Sequence, residues 1–228
     1  MIMDIIHLAK KDIVLEFRKR ETLFSMGLFS FVSVLLFSSL FSFLNIDYDT
    51  KQAISVGCLW FIITFTIMLG LTSIFSREIR KNSIYPLLSL SIKPQVIFLA
   101  KLLYLGMMLA IIEIITLITA IVFLRIDVQG DFLLFLIVLI TGTIDLAIAG
   151  CIVAFLTLYA KSKTLAVPLL FFPLILPSVL IATQVTLKLI LFDDDLRFIM
   201  NNTLIIFLHA VIIFVLGLLV TDELISNN

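Results

Sequence analysis

The sequence predicts an all-α, polytopic integral membrane protein with six transmembrane helices. Three observations carry this reading. Of the 228 residues, 62% are hydrophobic and 14% charged, and the mean hydropathy is +1.24. A soluble domain of this size cannot hide so much apolar surface, because part of any globule faces water. The apolar residues fall into six continuous runs, each long enough for a hydrocarbon core that takes about 20 helical residues to cross. Lysine and arginine gather in every second gap between the runs. Helices suit such runs better than barrel strands, since the runs do not alternate and an isolated strand leaves its backbone unpaired in lipid.

The first element is an amphipathic interfacial helix over residues 1–21. Ile2, Ile6, Ala9, Ile13 and Phe17 recur at three- and four-residue steps with Ile5 beside them, while Asp4, Lys11, Arg18 and Lys19 take other faces. Such a helix lies in the cytoplasmic interface with its basic residues near lipid headgroups. A plain orientation signal would need the charges but not the apolar stripe. The transmembrane domain follows over 22–221, with spans Thr22–Leu44, Gln52–Phe75, Gln95–Leu124, Asp131–Tyr159, Thr164–Leu187 and Asn201–Val220. The third and fourth exceed the minimum length and are expected to tilt or to extend into water. A short cytoplasmic tail, 222–228, closes the chain.

Direction comes from the basic residues. Twelve of the 16 lysines and arginines lie before the first span, around the second-to-third connection (Lys101 at its edge) or in the fourth-to-fifth. Lys51, Arg125, Lys188 and Arg197 remain for the other side. The positive-inside rule then places both termini in the cytoplasm, or in the matrix of an organelle. The formal net charge of +0 says little, because distribution matters more than sum. Asp47, Asp49, Asp127, Asp131 and the triplet Asp193, Asp194 and Asp195 read as solvated non-cytoplasmic loops. Cys58 and Cys151 lie inside spans and read as small packing residues. The first apolar run is too long for a cleaved signal peptide and reads as an anchor.

Four features depart from plain spanning helices. Segment 76–94 joins the charged cluster Arg77, Glu78, Arg80 and Lys81 to the apolar stretch around Tyr85, Leu87 and Leu88. Apolar surface in a loop marks a docking site for a partner or a loop packed on its own helices, and docking is the preferred reading. The fifth span carries Pro168, Pro173 and Pro177, each expected to bend or break a helix there. Thr143, Ala147, Gly150, Cys151 and Ala154 form a small-residue seam along the fourth span, which lets helices approach closely. Glu113, Asp145 and His209 are intramembrane polar positions. An acidic group at mid-bilayer costs about 2.5–3.5 kcal/mol and normally faces protein or water. A structural hydrogen bond and a place on a polar path both remain open for the two carboxyls, and a packed side chain for the histidine.

Several motifs are missing from the sequence. There is no phosphate-binding loop, no His-Glu-x-x-His, no Cys-x-x-Cys and no nucleophile elbow, so no enzymatic activity is expected of this chain. No metal site, nucleic-acid partner or cofactor of its own is expected either, and no inverted repeat suggests a secondary transporter.

The basic amphipathic leader, Trp60, the exit Phe75-Ser76-Arg77-Glu78 leading into Pro86-Leu87-Leu88-Ser89-Leu90, Lys101 and the proline-rich run from Val167 to Pro177 resemble the ABC-2-type exporter permeases. Within that group they look like haem exporter protein B, the CcmB family of the cytochrome c maturation system, over nearly the whole chain. The resemblance implies a permease subunit of ABC-2 exporter architecture, in two copies in a bacterial inner membrane. It further implies a separate cytoplasmic ATPase (CcmA-like) that binds ATP and magnesium and docks on segment 76–94. Arg77, Glu78, Arg80, Lys81, Tyr85, Leu87 and Leu88 would carry the coupling. The other implied partners are a haem-handling membrane protein (CcmC-like), a small membrane subunit (CcmD-like) and a haem chaperone (CcmE-like), with haem as the transported or handled ligand. Asp145 stands where the resemblance would place a small residue. An exporter permease for a lipid, drug or glycan is the competing reading, and a helical membrane enzyme acting on lipids ranks below it.

Overall fold

The computed structural model describes residues 2–43, 46–71, 74, 93–157, 163–191 and 195–226. Among them the protein is entirely helical, with an N-terminal helix and six long apolar helices able to span a membrane. These are α1 (Ile2–Lys19), α2 (Glu21–Phe43), α3 (Tyr48–Leu71), α4 (Pro94–Phe123), α5 (Phe132–Leu156), α6 (Lys163–Ile190) and α7 (Leu196–Ser226). The fold class read from hydropathy is the one observed.

Carboxylates and backbone geometry set the ends. Between α1 and α2 lies one residue, Arg20, in the left-handed region at φ 59°. The first turn of α2 is capped from outside. Glu16 of α1 accepts hydrogen bonds from the Thr22 and Leu23 backbone N–H groups at 2.8 and 3.2 Å, placing negative charge where the helix presents unpaired donors. Asp47 does the same for α3, accepting from the Thr50 N–H at 3.0 Å. That bond holds the Asp47 carboxyl below its ordinary range. The cap also explains why α3 begins at Tyr48 rather than at Gln52. Hydropathy rejects Asp49 and Lys51, whereas a capped first turn accepts them. Asp131 caps α5 through Leu133 and Leu134, and Asp195 caps α7 through Phe198 at 3.0 Å. Pro94 opens α4, where its missing N–H is no loss. Helix α7 is longer than its apolar run at both ends and stays helical through Ser226, into the stretch read as a tail.

The fifth span, expected to bend or break at its prolines, does not break. Helix α6 runs unbroken from Lys163 to Ile190 through Pro168, Pro173 and Pro177. Each proline removes one donor, but the bonds between them persist. Pro173 and Pro177 also lie on the outward face, where their rings displace no neighbouring helix.

Helices α3 and α5 form the inner layer and are buried over most of their length, while α2, α6 and α7 turn most of their surface outward. Helix α5 packs against α3, α4, α6 and α7. Its small residues make this physically feasible. A Cβ added at Gly142 would overlap the Trp60 ring, and one at Gly150 would come within 2.6 Å of Leu71. The Trp60 indole N–H, deep in the core, donates to Thr186 Oγ1 of α6 at 3.1 Å. In lipid, helix association rests on such close packing and on hydrogen bonds between helices rather than on a hydrophobic drive.

Helix α1 keeps its amphipathic character but presents a different face to the bundle than its apolar stripe suggests. Ile5, Ala9, Asp12 and Glu16 are buried, and Ile5 and Ala9 pack on Val96 and Ala100 of α4. Ile2, Ile6 and Phe17 of the stripe face outward, while Ala9 and Ile13 turn to the bundle.

Candidate functional site

Two polar groups of contacts cross the bundle, and each is built from elements far apart in sequence. The first lies where α1 meets α4. Lys101, two turns into α4 and 3% exposed, pairs with Asp12 of α1 at 2.9 Å and donates to the Ile74 carbonyl at 3.1 Å. One turn on, the Tyr104 hydroxyl donates to Glu16 Oε2 at 3.1 Å, the same carboxylate that caps α2. Asp12 and Glu16 are four residues apart on one face of α1, and Lys101 and Tyr104 are three apart on α4, so the helical repeats bring the pairs into register. This junction joins α1, α2, α4 and the chain after α3. Lys101 is thus a buried structural cation rather than the edge of a connection.

The second group lies within the membrane-spanning region. Asp145 of α5, fully buried, contacts His209 Nδ1 of α7 through both oxygens, at 3.0 and 3.1 Å. Ser178 of α6 is the next polar group beside that carboxyl, so three helices meet there. On α4, Glu113 accepts from Thr143 Oγ1 of α5 at 2.7 Å. Its carboxyl borders a groove of about 560 Å³ whose other walls are almost wholly apolar, among them Leu103, Met107 and Ile144. Asp145 and His209, read separately from the sequence, are brought into one contact, whereas Glu113 is held apart from them with its own partner.

The chain's own sequence places this architecture. Residues 3–221 match the family described as CcmB protein. The chain belongs to the CcmB family. No curated protein and no solved structure matches it. Membership of the CcmB family makes the chain a multi-pass permease subunit of an ABC-type haem exporter, in a system with an ATPase and other maturation partners, rather than an enzyme in its own right.

For a CcmB-family permease, the expected ATPase-coupling residues are Arg77, Glu78, Arg80, Lys81, Tyr85, Leu87 and Leu88. All seven lie outside the described residues. Ile74, held by Lys101, is the nearest described residue before them, and Lys93 the first after them. Of the proline positions, Pro173 and Pro177 are exposed and Pro168 half-buried. No group of three or more His, Cys, Asp or Glu side chains suited to a metal ion occurs among the described residues. Sequence reading passed over Asp12, Glu16 and Tyr104. A signal existed for the carboxylates, since both continue the Ile5–Ala9 face at helical spacing, but surface charge on an interfacial helix explained them equally well.

Proposed function

We propose that this permease couples ATP hydrolysis by a partner ATPase to haem delivery in c-type cytochrome assembly, ending in release of the haem-loaded chaperone. Segment 76–94 is the contact for the ATPase, both termini lie on the cytoplasmic side of a bacterial inner membrane, and two permease copies face a pair of ATPases. ATP and magnesium belong to the ATPase, and haem enters as cargo.

The observation that supports this reading is the double contact of Lys101, to Asp12 and to the Ile74 carbonyl. One ammonium group joins the α1 helix through Asp12, its own helix α4, and the Ile74 carbonyl at the entrance of the coupling segment. A push on that segment reaches α1 and α4 together, and Glu16 carries it on to the first turn of α2. A buried pair that loses one partner leaves an uncompensated charge, so the junction moves as one piece rather than separating.

The test is reversal of the two coupling-segment charges, Arg80→Glu with Lys81→Glu. The ATPase is expected to fall away from the gently solubilised complex, and haem-stained cytochromes are expected to disappear from cells carrying the variant. Undiminished co-purification would refute the docking role of this segment. Normal haem staining in a strain deleted for the permease would refute the haem reading.

A further inference from the structure

At the end of the bundle away from α1, two cations stand without acidic partners among the described residues. Lys51 of α3 and Arg125 just after α4 border a pocket of about 370 Å³ whose remaining walls come from Ser38, Phe41, Ser42 and Phe123. Neither cation forms an ion pair among the described residues. Nearby carboxylates are engaged elsewhere: Asp127 accepts from the Tyr48 hydroxyl at 3.1 Å, and Asp47 caps α3. Asp49, in the first turn of α3, is exposed.

The backbone carrying Arg125 is fixed with unusual thoroughness. Three side chains take three successive carbonyls: Ser38 donates to Phe123 at 2.8 Å, Ser55 to Leu124 at 3.4 Å, and Gln52 to Arg125 at 2.9 Å. Arg125 itself sits in the left-handed region at φ 55°, a conformation that costs a non-glycine residue energy and persists only where its surroundings impose it. Lys51 is also placed, with its ammonium 5.9 Å from the centre of the Phe41 ring. Two helices thus hold a strained turn that sets Arg125 on the border of the same pocket as Lys51.

The flanks of the pocket face lipid. Leu40 and Phe43 on α2, with Val122 on α4, are more than half exposed. The pocket therefore joins a doubly cationic floor to an apolar surface of the kind that receives acyl chains. Basic pockets between spanning helices recognise acidic lipid headgroups by this combination. We propose that Lys51 and Arg125 bind the phosphate of an acidic phospholipid in the leaflet opposite α1, with its chains lying along α2 and α4. The guanidinium would give two parallel hydrogen bonds to phosphate oxygens.

Native mass spectrometry of the full-length protein, exchanged into mixed phosphatidylglycerol and phosphatidylcholine, tests this. The wild type should retain phosphatidylglycerol preferentially. Lys51→Gln and Arg125→Gln should each cut the preference about fivefold, and the double variant more than tenfold. Lys51→Arg should keep it, and Lys188→Gln, a cation held over the Phe198 ring, should leave it unchanged. Equal retention of the two lipids by wild type, or a double variant with undiminished preference, would overturn the proposal. So would displacement of the lipid signal by millimolar inorganic phosphate, or loss of bound haem instead of lipid on substitution. The readout does not use cytochrome assembly, so its failure is separable from failure of the haem reading.

Discussion

The two ends of this bundle treat charge in opposite ways. Where α1 meets α4, Asp12, Lys101, Glu16 and Tyr104 are buried and engaged with one another and with the backbone. At the far end, Lys51 and Arg125 border an open pocket with no acid paired to them among the described residues. A buried charge must be matched by the protein itself, because its removal from water is otherwise uncompensated. An exposed cation is free to meet a ligand. The first arrangement suits transmission of force, and the second suits recognition.

Breaking the matched end should have the largest consequence. Lys101→Met leaves buried Asp12 with only the longer contact to the half-exposed Lys11 ammonium at 3.4 Å and is expected to cost about 3 kcal/mol, read as a fall in the unfolding midpoint in nanodiscs. The companion variant Lys101→Met with Asp12→Leu sharpens the point, since removing both charges should restore most of the loss. A smaller effect is expected at the cap that α1 supplies to α2. Glu16→Ala should cost about 1–2 kcal/mol, as other lost helix caps do, with Glu16→Gln intermediate. Neutralising Lys51 and Arg125 in lipid-free detergent should change stability by less than about 0.5 kcal/mol, the usual range for exposed sites. That small value beside the first large one is the contrast itself.

The smallest effect belongs to Asp47. Its carboxyl is held below the usual value of 3.8 by the Thr50 N–H. A depressed folded-state value contributes stability above the unfolded value, and that contribution disappears as pH falls through the folded one. Protection against hydrogen exchange at the start of α3, taken relative to the intrinsic rate at each pH, should therefore fall below about pH 4 in the wild type, and an Asp47→Ala variant should be less protected already at neutral pH.

Much of this architecture is legible from composition alone, because a bilayer imposes length and apolarity on anything that crosses it. Six spans follow, with most helix ends within a few residues. The start of α3 was missed because a capping carboxylate makes Tyr48-Asp49-Thr50-Lys51 helical despite their polarity. That α6 continues through its prolines is not legible in the sequence, because proline's local penalty is readable whereas its outward placement is a tertiary fact. Asp145 and His209 stand 64 residues apart in sequence, and nothing in either segment names the other. The same holds for Lys101, which counts as a topogenic charge in one dimension and becomes a buried partner of Asp12 in three. Glu113 was recognised as intramembrane, but its partner Thr143 had been read only as a small residue in a packing seam.

The corner at Arg20 leaves little slack. A single residue separates α1 from α2, and the carboxylate that seals the start of α2 hangs from α1 itself. The two helices consequently behave as a rigid angle bracket, so that rocking of the membrane-surface arm must swing the upright one. Inserting flexible residues at this elbow would let α1 tilt without α2, while the contacts among α2 to α7 stayed in place.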